Sequence, residues 1–352
     1  MRLFSLTLAM AAAASLGLAQ DSGPYKVLKS AKVGGEGGFD YVTADAAGRH
    51  LYVGRSGNPG RIMVYNLDTL EKQGEIPNTN RVHGATASPK SHHGFASSNP
   101  VVMFDTKTWA TIKTIDVKGN PDGYLYDPFN DRVYILSHSK PNATVINAAD
   151  GEVVGTIDDL GGAPEEAATD GKGALYIDIE DKDNIAVVDA RTLTVKTHYD
   201  LTGKGGQCAG LALDVKNQIL FAACRNPQNM VILSARDGKI LETLPLAGSS
   251  DGATFNPKTM EAFSSHGNGT LSVIKENSPT SFTVEETLKT MQGGKTCTLD
   301  SKTGHLFIIA AEYTPPPAAP ATPPPGQEKG GRGRGGRGQM VPDSFTILEI
   351  GK

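Results

Sequence analysis

The stretch "HLYVGRSGNPGRIMVYNLDTLEKQGEI", His50 to Ile76, carries the reading of the whole chain. An alternating apolar run, a polar turn, a second apolar run, a turn led by Asn66 and a third short run describe antiparallel strands joined by tight turns. The plan returns in "RVYILSHSKPNATVINAADGEVVGTI" from Arg132, "ALYIDIEDKDNIAVVDARTLTVKTHYDL" from Ala174 and "ILFAACRNPQNMVILSARDGKILETLPL" from Ile219. Weaker copies are "GFASSNPVVMFDTKTWATIKTIDV" from Gly94 and "AFSSHGNGTLSVI" from Ala262. One more short strand precedes each copy, after a glycine-rich turn. These strands read "FDYVTAD", "VHGATAS", "PDGYLYD", "PEEAATD", "CAGLALD", "SDGATFN" and "GKTCTLD".

The residue five places before the closing polar residue of each is Asp40, His83, Asp122, Glu165, Ala209, Asp251 and Lys295. Their spacings are 43, 39, 43, 44, 42 and 44 residues. Seven four-stranded units of this length predict an all-β chain folded as a seven-bladed β-propeller. Each unit has a face that only its neighbour can cover, so the ring has to close. Length alone suggests two domains, but the repeat makes residues 20–352 one. The last unit has "CTLD", "HLFIIAAEY" and "SFTILEIGK" but no outer strand. The segment "YKVLKSAKV", Tyr25 to Val33, has no unit of its own and is placed to pair with that unit and close the ring.

The chain opens "MRLFSLTLAMAAAASLGLAQ", with Arg2 before an apolar stretch and small residues at Gly17 and Ala19. This is the pattern of a secretory signal peptide over residues 1–19, and it predicts a periplasmic or secreted bacterial protein. No later segment has the run of apolar residues a membrane helix needs. A net charge of −4 and 6% aromatic residues argue against a general nucleic-acid binder, which needs a basic groove with stacking rings. The segment at about 314–343 contains "TPPPAAPATPPPGQEKGGRGRGGRG". Its composition predicts a disordered insertion between the second and third strands of the last unit. With a typical end-to-end reach of roughly 30 Å, it is long enough to bring Arg332, Arg334 and Arg337 over the channel mouth.

The repeat places Asp40, His83, Asp122, Glu165, Asp251 and Lys295 around one mouth of the central channel, as candidate ligand-binding residues. Arg55, His138, Arg225 and His266, from the ends of second strands, are expected on the same face, with Glu166 beside Glu165. Three readings stay open. Asp40, His83, Asp122, Glu165 and Asp251 offer donor atoms for a divalent cation, with no other cofactor indicated. His83 as general base, with Glu165 alongside and Arg55 or Lys295 steadying an oxyanion, makes a candidate catalytic set. The third reading is a wet polar channel, its side chains hydrogen-bonded to water and backbone.

Elsewhere, His92 and His93 stand in a turn on the opposite face, while His50 and His305 occupy matching turns. Cys208 and Cys224 fall nearly opposite each other in one hairpin, either as a disulfide or as two buried thiols. Cys297 is left over; it alternates with Lys295, and a nucleophilic role would need a base beside it.

The phrases "LYVGRSGNPGRIMVYNLDTLE" and "VKGNPDGYLYDPFNDRVYIL" resemble the YVTN-repeat, YncE-like propellers of exported bacterial proteins. The resemblance covers nearly the whole chain after residue 19. It implies the blade plan and export, and no particular activity. Two expectations for function follow. One is a non-enzymatic scaffold that binds a protein or small-molecule ligand through its channel-mouth face. The other is a lactonase- or lyase-type enzyme working with the acidic, His-containing mouth and a divalent metal.

Overall fold

The computed structural model describes residues 23–57, 59–315 and 338–352. The expected signal peptide, residues 1–19, and most of the proline-arginine stretch, including Arg332, Arg334 and Arg337, lie outside these residues. The described chain forms seven antiparallel sheets of four strands, with no helix among them. The first blade shows the plan: inner strand Gly38–Asp45, second strand His50–Ser56, third strand Arg61–Asn66 and outer strand Lys72–Ile76.

The turns explain why the chain reverses where it does. Asn66, Asp105, Asn147 and Asp189 each end a third strand and accept a backbone N–H from two residues on, at 2.8–3.0 Å. This is the local bond that makes Asn and Asp turn-formers.

Alternation along the strands decides the packing. In the first blade, Leu51 and Val53 face the seventh blade, packing with Phe307, Ile309 and Ile347. Tyr52, between them, faces the second blade and packs with Ala96, Val102 and Phe104. A buried apolar cluster fills every interface between successive blades, including the one between the last and the first. Each blade therefore covers two neighbours, and burial is complete because the circle is complete.

Closure follows the expected route. The seventh blade is Cys297–Leu299, Leu306–Ala310 and Thr346–Gly351, with the N-terminal strand Lys26–Lys32 as its outer member. Its second and third strands flank the proline-arginine insertion. Tyr313 pairs with Met340, and the Thr314 N–H donates to the Gln339 carbonyl at 2.9 Å, so the ladder runs up to the point where the insertion leaves.

Candidate functional site

Four of the charged residues at the channel mouth owe their direction to an irregularity that recurs in five of the seven blades. Register breaks between Phe39 and Val42, Pro121 and Tyr124, Pro164 and Ala167, Cys208 and Gly210, and Ser250 and Ala253. Asp40, Asp122, Glu165 and Asp251 all stand inside such breaks. A bulge frees its residues from the ladder and re-aims their side chains, here toward the axis. Glycine permits the crowding: a Cβ on Gly123 would meet the Glu165 carbonyl oxygen at 2.4 Å, and one on Gly84 would meet Tyr124 at 2.5 Å.

The side chains so aimed form a closed circuit of alternating acids and bases. Asp40 Oδ2 lies 2.8 Å from His83 Nδ1, whose other neighbour is Asp122 Oδ1 at 3.1 Å. Asp122 Oδ2 lies 3.2 Å from His138 Nε2, and His138 Nε2 lies 3.2 Å from Glu165 Oε2. Glu165 Oε1 stands 3.7 Å from Arg225 Nη2, which is 2.9 Å from Asp251 Oδ1. Lys295 Nζ then joins Asp251 at 3.3 Å to Asp40 at 2.9 Å. All six residues assigned to the mouth from the repeat are in this circuit. At the fifth blade Ala209 carries no charge, and Arg225 of the same blade spans the gap.

Of the four second-strand residues expected nearby, His138 and Arg225 join the ring and Arg55 and His266 do not. The cause is register. Arg55 pairs with Phe39 and His266 with Ser250, each one residue short of the tier that His138 and Arg225 occupy. In a strand that step turns the side chain to the other face. Arg55 accordingly lies buried against the Phe345 ring, 3.9 Å away, and donates to the carbonyls of Gly34, Gly35, Glu36 and Gly37. Burial lowers its pKa to about 10. His266 bonds Thr270 at 2.9 Å, and burial pulls it down to about 4. The catalytic grouping of His83 with Arg55 thus has no contact behind it, whereas His83, Lys295 and Glu165 share the ring.

Sequence reasoning passed over Glu180, which follows the second strand of blade four just as His138 and Arg225 follow theirs. It accepts from Arg225 Nη1 at 2.6 Å. The same blade-by-blade comparison of second-strand ends could have found it.

The circuit fixes charge states. Burial opposes ionisation of Asp40, but the His83 hydrogen bond and the Lys295 charge hold it at about 2. Lys295 is raised despite burial, by Asp251 and Asp40. Arg225 is raised despite burial, by Asp251, Glu165 and Glu180. His138 is raised first by its bond to Glu165, and His83 is raised by Asp40 and Asp122 against the effect of burial. Burial pushes Asp122 up.

Beneath the ring is a cavity of about 160 Å³, lined by Tyr41, Tyr124, Glu166, Thr296 and Cys297 among others. Glu166 accepts the N–H groups of Leu211 and Ala253, at 2.8 and 3.2 Å, and burial raises it to about 8. Burial also pushes the Cys297 thiol up to about 12, which removes it as a nucleophile at neutral pH. A larger cleft of about 500 Å³ opens beside Val33, Arg61 and Lys72, away from the ring.

The remaining candidates have structural partners. His93 Nδ1 meets the Ala148 carbonyl at 2.9 Å, and His92 sits in the turn with φ 60°. His50 bonds Gln73, and His305 bonds Glu349. Cys208 and Cys224 face each other across the hairpin and form a disulfide.

Fold and ring together define a seven-bladed β-propeller with a charged channel mouth. No family model and no curated protein matches the chain. It is similar to a chain in the "Crystal Structure of Mitotic Checkpoint Complex", with 13% identity and a TM-score of 0.70, covering 88% of this chain and 96% of that one. Likeness at that identity establishes the propeller fold alone.

Proposed function

We propose that this protein is an exported, non-enzymatic propeller of the YVTN-repeat, YncE-like kind, binding a small polar ligand or a protein partner at its channel mouth. The observation that carries the reading is the closed circuit from Asp40 through His83, Asp122, His138, Glu165, Arg225 and Asp251 to Lys295. Asp40 and Lys295 are held in their charged forms by each other and by their ring neighbours. Fixed charges of both signs on a rigid rim suit recognition of a polar ligand. The blade phrases and the signal-like first residues support the family and export. The Cys208–Cys224 disulfide fits an oxidising compartment.

The test is native mass spectrometry of protein purified without chelator, beside Arg225→Met and Lys295→Met variants. A bound mass on the wild type that is weakened on both variants is the expected result. Lactone hydrolysis by the wild type, lost on His83→Ala and Glu165→Gln, would replace the scaffold with the enzyme.

A further inference from the structure

The ring is chemically lopsided. Lys295 and Arg225 both stand on the side that carries Asp251. The opposite arc holds Asp40, His83, Asp122, His138 and Glu165: three carboxylates, two imidazoles and no permanent cation. The proton count along this arc does not close. His83 Nδ1 has a carboxylate oxygen on each side, at 2.8 and 3.1 Å, and His138 Nε2 has two at 3.2 Å. One ring nitrogen carries one proton and donates it along one line. Each imidazole therefore faces one more anionic oxygen than it can serve, in a place where Asp122 is only 8% exposed.

We propose that this arc binds a pair of divalent transition-metal ions, one held by Asp40, His83 and Asp122, the other by Asp122, His138 and Glu165, with Asp122 as the bridge. The ligand atoms of each triad lie within 4.8 Å of one another. Asp122 presents Oδ1 to the first group and Oδ2 to the second, as a bridging carboxylate does. Metal–ligand bonds of roughly 2.1 Å set neighbouring donor atoms about 3.0 Å apart in an octahedral site and about 3.4 Å apart in a tetrahedral one. Two edges of each triad come near these spacings, 2.8 and 3.1 Å about His83 and 3.2 Å twice about His138.

The end carboxylates are also held from outside. Asp40 Oδ1 takes Lys295 Nζ at 2.9 Å, and Glu165 Oε1 faces Arg225 at 3.7 Å, so each keeps its other oxygen for the arc. Outer partners of this kind orient metal ligands. One imidazole with two carboxylates per ion suits Mn²⁺ or Zn²⁺. This inference rests on the channel mouth being the binding site, and supplies a ligand for its acidic side.

The test is calorimetric titration of the full chain, stripped with chelator, with Mn²⁺ and separately with Zn²⁺. Two ions per chain are expected for at least one metal. His83→Ala and His138→Ala should each leave one ion. Asp122→Asn should weaken both by more than roughly tenfold, the least expected for losing a group that holds a metal. A double His92→Ala, His93→Ala variant should bind as the wild type does. Thermal melts of each variant separate lost ligands from lost folding, and His138→Gln serves if Asp122→Asn does not fold. Absence of binding, a single ion in the wild type, or loss on the His92, His93 variant instead would overturn the proposal. If both ions fail to bind while the native mass still shows a ligand sensitive to Arg225 and Lys295, the metal pair falls and the scaffold reading stands.

Discussion

At the scale of single residues, Asp178 shows how much the surroundings of this site cost. It lies on the face of its strand turned toward blade five, fully buried, and neither carboxylate oxygen has a hydrogen-bond partner. Burial raises its pKa well above the usual value, helped by the charges of Glu166 and Glu165. The sign of the linkage follows: a carboxyl raised in the folded state favours folding least at high pH, because the unfolded chain sheds the proton that the fold retains. Asp178→Asn keeps the shape and removes that penalty. The variant should melt close to the wild type near pH 4 and above it at pH 8, because each pH unit between the unfolded and the folded pKa costs the wild type about 1.4 kcal/mol. Melting curves at the two pH values check this, and a variant that melts lower at both would show that Asp178 has a partner. Nothing in the sequence marked Asp178. It has no counterpart in the repeat, and its isolation depends on which strand face the neighbouring blade covers.

At the scale of elements, the hairpin Cys208–Asp214 with Ile219–Cys224 is held by its ladder and by a disulfide at its open end. The cysteines are 16 residues apart. A loop of this size, closed in the unfolded chain, is worth about 3 kcal/mol of stability. The Cys208→Ser, Cys224→Ser double variant should lose stability of that order in urea titration, while Cys297→Ala, which removes one buried side-chain atom, should cost only about 1 kcal/mol. Equal losses from both would mean that the bridge does no more than fill space. The spacing of the two cysteines in the sequence brought them together but left bonded and free states equally open. The strands, their order and the charged residue near the start of each inner strand were legible because the pattern recurs from blade to blade. The inner-strand bulges were not, because a bulge changes pairing without changing the alternation of residue types. The same limit separated His138 and Arg225 from Arg55 and His266: one step of register decides which face a side chain takes, and strand ends cannot be read from sequence to one residue.

At the scale of the whole molecule, every interface between blades is shared, and a circle opened anywhere uncovers two faces. The closing joint lies where the strand Lys26–Lys32 pairs with the last strand of blade seven, beside which Tyr25 and Lys352 meet blade six. Tyr25 donates from its hydroxyl to Glu261 and packs on Phe263, while Lys352 Nζ meets Glu261 at 2.8 Å. Glu261 is fully buried. Burial works against its charge, but Lys352 and its hydrogen-bond partners, Tyr25 among them, keep its pKa well below the usual glutamate range. A carboxylate depressed in the folded state contributes stability above its unfolded pKa and loses it as pH falls through the folded one. The wild type should therefore lose part of its stability from about pH 4.5 downward. Glu261→Gln should start lower at pH 7 and show a flatter acid limb. Tyr25→Phe should cost about 1–3 kcal/mol, since it leaves a buried acceptor short of a donor. Removing residues 1–33 tests the joint directly. The last blade would keep three strands, and Leu348 and Ile350 would lose the strand that runs beside them. If closure is cooperative, that variant loses far more than one edge strand's worth of contacts, melting early and broadly, and a synthetic peptide spanning residues 23–33 restores the sharp transition. A truncated protein that melts as sharply as the full chain would show that the circle holds by its seven interfaces without the clasp.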